Sequence, residues 1–205
     1  MKLNNICLSL FLFVFITSCT FVRNQKEFQD FKRSHHESKL NFKINGYYYR
    51  EYIGPTIHNE HQKQIEILIF YADGSVYVSG TFLNTKKNTN GKTVTIDITF
   101  SEMHKEITNF LINFKTNKKS GWGFYKILKD SIIIKYYEMG GPGILIPIIP
   151  YYLCIKRGKV VNDTTLIIKN NDCFSHNIYQ KQTNEIYKFK KFSPKPDSTN
   201  WTQDL

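Results

Sequence analysis

IEILIFYADGSVYV, residues 65–78, decides the fold of this chain. Its first half alternates isoleucines with Glu66, Leu68 and Phe70, so each set lies on its own face of an extended strand. Asp73-Gly74 then separates this run from a second apolar run. Asp-Gly between two such runs is the strongest short signal for a hairpin, because both turn residues need a positive φ. The segment therefore predicts two antiparallel strands joined by a tight turn.

Further short strands follow the same pattern. Tight turns are predicted at residues 129–131 and at Asn162-Asp163, with Gly158 placed for a bulge. Apolar residues alternate with polar ones from Val94 to Phe100, which predicts another strand. Apolar residues then recur at helical spacing from Met103 to Phe114 and predict one helix, and a capping box of Thr99 with Glu102 is expected at its start.

Eight or nine strands in sequential hairpins, with one helix, predict a mainly β protein. Such a set closes most simply as an antiparallel up-and-down barrel or a strongly curved meander, because closure removes exposed sheet edges. Ala72 is the only alanine in the chain. Since alanine is the best helix former, its near absence argues against an all-helical protein.

The N-terminus has the order of a lipoprotein signal. Lys2 precedes an apolar run over residues 6–16, which as a helix spans about 16 Å, half the ~30 Å hydrocarbon thickness. The sequence ITSC, residues 16–19, resembles the lipobox of bacterial lipoproteins. This resemblance implies cleavage before Cys19, acylation of that residue, and attachment of the mature chain to a lipid bilayer.

We therefore expect a signal peptide over residues 1–18, a lipidated tether over residues 19–42, a single β-barrel-like domain over residues 43–192 and an irregular tail over residues 193–205. The tether is polar and charged. A short helix over residues 25–33 is compatible with its sequence, but we expect partial order at best.

The formal net charge is +11, and the lysines are scattered along the chain rather than gathered in one block. A lipoprotein of the cell envelope rarely meets nucleic acid, so we expect no nucleic-acid partner, and we read the charge as a solvated basic surface. We expect a monomer.

Two stretches carry a family resemblance. One is GWGFYKI at residues 121–127, leading into DSI at residues 130–132; the other is GKVVNDTTL at residues 158–166, with the tail FSPKPDSTN at residues 192–200. They resemble small, uncharacterised lipoproteins of Gram-negative bacteria that have a lipocalin-like β fold. The resemblance implies a lipid-anchored protein of the cell envelope, at the outer membrane. No acidic cluster follows Cys19, which favours the periplasmic face.

A barrel of about eight strands has room for its side chains or for one small ligand. The aromatic residues that would line a cavity are Trp122, Phe124, Tyr125, Tyr136 and Tyr151, although aromatic residues also commonly fill a core. The apolar segment GILIPIIP, residues 143–150, either covers one end of the core or forms a hydrophobic lip at the cavity or the bilayer. Its lip residues would be Leu145 and Ile148.

Cys154 and Cys173 lie on either side of the turn at Asn162-Asp163, so antiparallel pairing brings them close enough for a disulfide. Two separate thiols remain the alternative. His58 and His61 are weak candidates for a zinc site, because two histidines in a loop set no fixed geometry. We therefore assign no metal.

No motif for a catalytic nucleophile or a phosphate-binding loop is present, so we assign no catalytic residue and no cofactor. The first hypothesis is a membrane-anchored β-barrel binding module for an apolar ligand or an envelope protein. The second is a structural or interaction lipoprotein with a filled core. The third is an envelope hydrolase.

Overall fold

A computed structural model describes residues 25–33, 42–55, 61–83, 85–87, 93–95, 98–113, 120–139, 151–173 and 181–196. Within these residues there are two helices, α1 (Gln25–Arg33) and α2 (Phe100–Ile112). The strands are β1 (Gly46–Pro55), β2 (His61–Phe70), β3 (Ser75–Val78), β4 (Phe82–Leu83), β5 (Thr85–Lys87), β6 (Thr93–Thr95), β7 (Trp122–Leu128), β8 (Ser131–Met139), β9 (Tyr151–Asn162), β10 (Thr165–Cys173) and β11 (Lys181–Lys191).

Eight of these strands form a closed antiparallel barrel. Around the ring they follow chain order, β1-β2-β3-β7-β8-β9-β10-β11, and β11 closes the ring by pairing with β1. The short β4 adds to β2, and β5 pairs with β6 as a separate ribbon. The predicted up-and-down barrel is confirmed, and its form is consistent with a lipocalin-like fold.

The hairpin predicted from residues 65–78 is confirmed. β2 pairs antiparallel with β3, and in the turn between them Gly74 has a φ of +82°, whereas Asp73 does not have the positive φ that was expected of both turn residues. Asp73 stabilises this turn, because its Oδ1 accepts hydrogen bonds from the Ser75 backbone N–H at 2.9 Å and from the Ser75 hydroxyl at 2.6 Å.

The strands divide their side chains between two apolar layers. One layer fills the barrel interior, where cross-strand neighbours such as Tyr48, Leu68 and Val78 face one another. The other layer lies on the outer face of the barrel and is covered by the two helices, for example by Phe28 of α1 and Ile107 of α2. The two-residue period of the strands produces this division directly.

The N-terminus of α2 corrects one prediction. The predicted capping box is present: the Glu102 backbone N–H donates to Thr99 Oγ1, and the Thr99 backbone N–H donates to Glu102 Oε2. The strand predicted through Phe100 is wrong at its end, because Thr99 caps the helix and Phe100 is already its first residue. The start of the predicted strand is present as β6, in which Val94 pairs with Lys86 of β5, whereas Ile98 is buried against the outer layer.

Helix α1 is more firmly packed than the sequence suggested. Phe28 is fully buried, with its ring centroid 4.5 Å from that of Tyr137 and 5.4 Å from that of Phe124. Glu27 also forms an ion pair with Lys135 of β8 at 2.6 Å. Residues 25–33 therefore belong to the packed outer layer of the barrel.

The chain after β11 also contacts the barrel. Lys195 Nζ donates hydrogen bonds to the carbonyl oxygens of Ile44 at 2.6 Å and Phe70 at 2.8 Å.

Among the described residues, neither helix has the length and apolar character needed to cross a membrane.

Candidate binding site

The barrel interior changes character along its axis. At one end it is apolar and filled: Phe42 stacks on Tyr48 with ring centroids 5.0 Å apart and contacts Phe70 edge-on at 4.9 Å. The Tyr48 hydroxyl donates to the Asp163 carbonyl at 2.8 Å, which ties this end to the β9–β10 turn. At the other end lies a cavity of about 290 Å³.

The cavity wall is largely polar. Its side chains include Arg50, Glu66, Tyr136, Glu138, Lys156 and Asn171. Each charged residue lies on the inward face of a strand that is apolar elsewhere, as Glu66 does on β2, where Leu68 and Phe70 follow it. Arg50 lies directly opposite Glu66 in the β1–β2 ladder, and Lys156 lies opposite Asn171 in the β9–β10 ladder.

A continuous ion network holds these groups in place. Lys156 Nζ donates to Glu66 Oε1 at 2.9 Å, and Arg50 Nη2 donates to Glu66 Oε2 at 3.0 Å. Arg50 Nη1 continues the network to Glu185 Oε1 at 2.8 Å. Both oxygens of Glu66 are therefore occupied by cations, and the Lys156 side chain is only 2% exposed.

Charge pairing decides the ionisation of this network. Burial alone would raise the pKa of Glu66, but Lys156 and then Arg50 hold that pKa below its usual range. Burial alone would lower the pKa of Lys156, but Tyr136 and Glu66 hold it above its usual range. Both partners are thus charged near neutral pH, as a buried ion pair requires.

Glu138 lies at the solvent side of the cavity and is less fully compensated. Burial raises its pKa, Lys156 opposes that effect, and Glu66 adds to it, with a net rise. The network and Glu138 together contain two cations, Arg50 and Lys156, and three carboxylates, those of Glu66, Glu185 and Glu138.

Two buried polar atoms of the wall have no hydrogen-bond partner. They are Arg50 Nε, which is a donor, and Asn171 Oδ1, which is an acceptor. A buried polar atom without a hydrogen-bond partner lowers the free energy of unfolding by about 1–3 kcal/mol, and such atoms are therefore uncommon in folded proteins. The Arg50 guanidinium also lies 4.1 Å from the ring centroid of Tyr52, which fixes its plane against the wall.

A disulfide lies beside the cavity. Cys154 and Cys173 are directly opposite in the β9–β10 ladder, and the structure joins their sulfurs at 2.10 Å. The register of this ladder slips between Thr165 and Leu166 and again between Ile168 and Asn170. Gly158 pairs with Ile168, so the second irregularity lies next to the glycine predicted at a bulge.

The aromatic residues expected at a cavity are dispersed. Of the five residues that were expected there, only Tyr136 lines the cavity, which Tyr52 also lines. Trp122 and Phe124 are buried in the outer layer, where Phe124 contacts Phe28 of α1, and Tyr151 packs against the same layer. Tyr125 faces inward at the filled end, where its hydroxyl donates to the Tyr71 carbonyl at 2.9 Å.

Several predicted positions lie outside the described residues or apart from the cavity. Cys19, Leu145, Ile148 and His58 lie outside the described residues. His61 is exposed at the start of β2. Among the described residues, the group of potential metal ligands that lie together is Glu138, Cys154 and Cys173, which does not include this histidine.

A second polar cluster lies under α2, on the outer face of the barrel. The Tyr47 hydroxyl and His104 Nδ1 are 2.9 Å apart, and His104 Nε2 is 3.0 Å from Glu51 Oε1. With Nε2 protonated, the ring donates to Glu51 and accepts from Tyr47, so it binds as neutral histidine. The cluster attaches α2 to β1.

The sequence did not single out Arg50, Glu66, Lys156 or Glu185. Their common signal is a single charge on a strand face that is otherwise apolar, as in LCIKRG at residues 153–158. Such a charge is rarely buried without a partner, so it marks a network, but the partner comes from a distant strand.

Comparison with known proteins gives no match: no family model fits the chain, and no curated protein or solved structure is significantly similar to it.

Proposed function

We propose that this protein is a binding module of the bacterial cell envelope, held to a bilayer through acylated Cys19, that takes a small polar ligand into the charged end of its barrel. The observation that supports this function is the cavity of about 290 Å³, which opens among charged and hydroxyl side chains while the opposite end of the interior is filled. Ligand pockets begin at about 300 Å³, so the ligand is small.

The chemistry of the wall favours a polar ligand over the apolar one that the sequence suggested. An apolar molecule would desolvate Arg50, Glu138 and Asn171 without replacing their hydrogen bonds, which is costly. The polar side chains that line the cavity, among them Arg50, Glu138 and Asn171, include both donors and acceptors, so a ligand that binds them needs acceptors and donors of its own. A hydroxyl-rich molecule provides both.

The excess of one carboxylate adds a charge preference. Arg50 and Lys156 form ion pairs with Glu66 and Glu185, so Glu138 is the carboxylate of this group that can pair with a cation of the ligand. We therefore expect the ligand to be a small polyhydroxylated molecule with an amino group, the class to which amino sugars belong.

The anchor rests on the order of basic residue, apolar run, small residues and Cys19 at the N-terminus. Mass spectrometry of the protein from its own membrane tests it: the mature chain should begin at Cys19 with attached acyl chains. An unmodified N-terminal peptide that retains residues 1–18 would contradict the anchor.

The ligand is tested in two stages on the protein extracted from its membrane in detergent. Native mass spectrometry should reveal a bound polar molecule. Calorimetric titration should then show binding of glucosamine, weaker binding of glucose and no binding of decanoate.

Glu138→Gln should weaken glucosamine binding at least tenfold, because hydrogen bonds to charged groups contribute about 1.5–3 kcal/mol. Asp130→Asn is the matched control, since Asp130 is exposed and pairs with Lys159 on the surface. Preferential binding of decanoate, or the absence of any bound molecule together with no binding of either sugar, would contradict the proposed ligand class.

A further inference from the structure

We propose that Cys154, Cys173 and Glu138 form a redox-controlled metal site, which binds a zinc-class divalent ion when the disulfide is reduced. This site shares Glu138 with the proposed ligand function, and its other two ligands, Cys154 and Cys173, are side chains that the function does not use.

The geometry of the three side chains points to a shared metal. Glu138 Oε2 lies 3.3 Å from Cys154 Sγ and 3.5 Å from Cys173 Sγ. In a tetrahedral site with Zn–S of about 2.3 Å and Zn–O of about 2.1 Å, the edge between sulfur and oxygen is about 3.6 Å. Two of the three edges of such a site already have nearly this length. Only the distance between the two sulfurs must increase.

Reduction of the disulfide between Cys154 and Cys173 allows the two sulfurs to move apart. A dithiol reductant transfers two electrons and two protons, so the Sγ–Sγ bond breaks, both cysteines become thiols and the reductant becomes a disulfide. Attack would fall on Cys173, because it is partly exposed whereas Cys154 is fully buried. Metal binding then releases the two thiol protons and forms two metal–thiolate bonds.

The ligand set selects the kind of ion. Two thiolates favour zinc-class ions over calcium or magnesium, which prefer oxygen ligands alone. Three protein ligands leave a fourth position, as in zinc sites that keep a water. The cavity that Glu138 lines provides space for that water. The nearby cation, Lys156, is neutralised by Glu66 at 2.9 Å.

The test uses the full protein extracted in detergent, with one sample oxidised and one reduced by a phosphine under anaerobic conditions. Zinc chloride titrated calorimetrically should bind the reduced protein with one ion per chain and should not bind the oxidised protein. Cobalt(II) should give the intense absorption of thiolate ligation in the reduced sample alone.

Variants separate this site from other thiols. Cys154→Ser with Cys173→Ser should abolish zinc binding while retaining every other cysteine of the chain. Glu138→Gln should weaken binding at least tenfold, since losing even an outer contact of a metal site costs about 10–100-fold. Asp172→Asn is the control carboxylate on β10, and it should leave zinc binding unchanged.

Three results would overturn the proposal: equal zinc binding by oxidised and reduced protein, no binding by reduced protein, or unchanged binding by the double serine variant. Near-ultraviolet circular dichroism should stay native on reduction. Loss of that signal would also overturn the proposal, because the site needs β9 and β10 to remain paired.

Discussion

Lys156 shows how strongly one residue can depend on its partners. Only 1% of the surface of Lys156 is exposed, yet its ammonium group stays charged because Glu66 Oε1 accepts a hydrogen bond from it at 2.9 Å. Removing one partner of a buried pair leaves the other charge uncompensated, and this costs more than the intact pair contributes.

Lys156→Met should therefore lower the free energy of unfolding by about 3–5 kcal/mol, measured by urea denaturation, because Glu66 loses one of its two cations. Lys159→Met on the same strand is the matched control. Lys159 pairs with Asp130 on the surface, where an ion pair contributes about 0–1 kcal/mol. Similar effects of the two changes would contradict the role of the buried network.

His104 makes stability depend on pH. Burial lowers the pKa of His104 below its usual 6.5, an effect that its hydrogen bond to Glu51 opposes and Lys190 reinforces. Between the folded and unfolded pKa values the unfolded chain binds more protons. The contribution of His104 is therefore complete above about pH 6.5 and is lost as the pH falls toward the folded pKa.

His104→Phe should remove this component. The wild-type free energy of unfolding should fall as the pH drops below about 6.5, with a slope of at most about 1.4 kcal/mol per pH unit from this group, and the variant should lack that slope. His61→Gln should retain it, because His61 is exposed. Identical pH profiles for wild type and His104→Phe would reject the assignment.

At the scale of elements, the two helices exist because the outer face of the barrel is itself apolar. Ile65, Ile67 and Ile69 of β2 point outward and are nearly inaccessible to solvent. A strand with an apolar outer face needs cover, and α1 and α2 provide it. Packing, more than helix propensity, accounts for the order of the nine-residue α1.

Phe28→Ala should lower the free energy of unfolding by about 3–5 kcal/mol, because it leaves a cavity against Phe124 and Tyr137. Ile112→Ala on α2 is the control: Ile112 is 58% exposed, and its loss should change stability by less than about 0.5 kcal/mol. Urea denaturation of both variants makes the comparison. A negligible effect of Phe28→Ala would mean that α1 does not unfold together with the barrel.

The elements that the sequence predicted are those specified by local chemistry. The Asp73-Gly74 hairpin and the Thr99 capping box depend on neighbouring residues and are present. The β9–β10 turn is also present, but at Asp163-Thr164, one residue later than the predicted Asn162-Asp163. The order of α1 depends on contacts with β7 and β8, about a hundred residues away. No local pattern in residues 25–33 reveals those contacts.

The candidate site was harder to predict for the same reason. Glu66, Lys156 and Glu185 come from three strands that meet only in the closed barrel. The sequence instead drew attention to aromatic residues. Their size and apolarity suit a cavity wall and a packed layer equally well, and the structure places Trp122 and Phe124 in the packed layer.

For the molecule as a whole, the chain after the last strand helps to hold the filled end together. Lys195 binds carbonyl groups that precede β1 and end β2, so it links three distant parts of the chain. Burial lowers the pKa of Lys195, while Asp73 opposes that effect.

Lys195→Met should lower the free energy of unfolding by about 2–3 kcal/mol, because two carbonyl oxygens lose a charged donor. Lys191→Met is the control, since Lys191 is exposed at the end of β11. Thermal unfolding of the two variants at pH 7 provides the measurement. Equal melting temperatures would show that the tail does not contribute to the barrel.

The packing of α1 has a consequence for the proposed membrane anchor, because it limits how far the barrel can lie from Cys19. If the chain is anchored at Cys19, a free segment up to Phe42 would let the barrel travel roughly 80 Å from the bilayer, at about 3.5 Å per residue. With α1 packed on β7 and β8, the chain length from Cys19 to Gln25 limits the distance from the anchor to the start of α1 to about 20 Å at most. The barrel would then collect its ligand at the bilayer surface rather than at a distance from it.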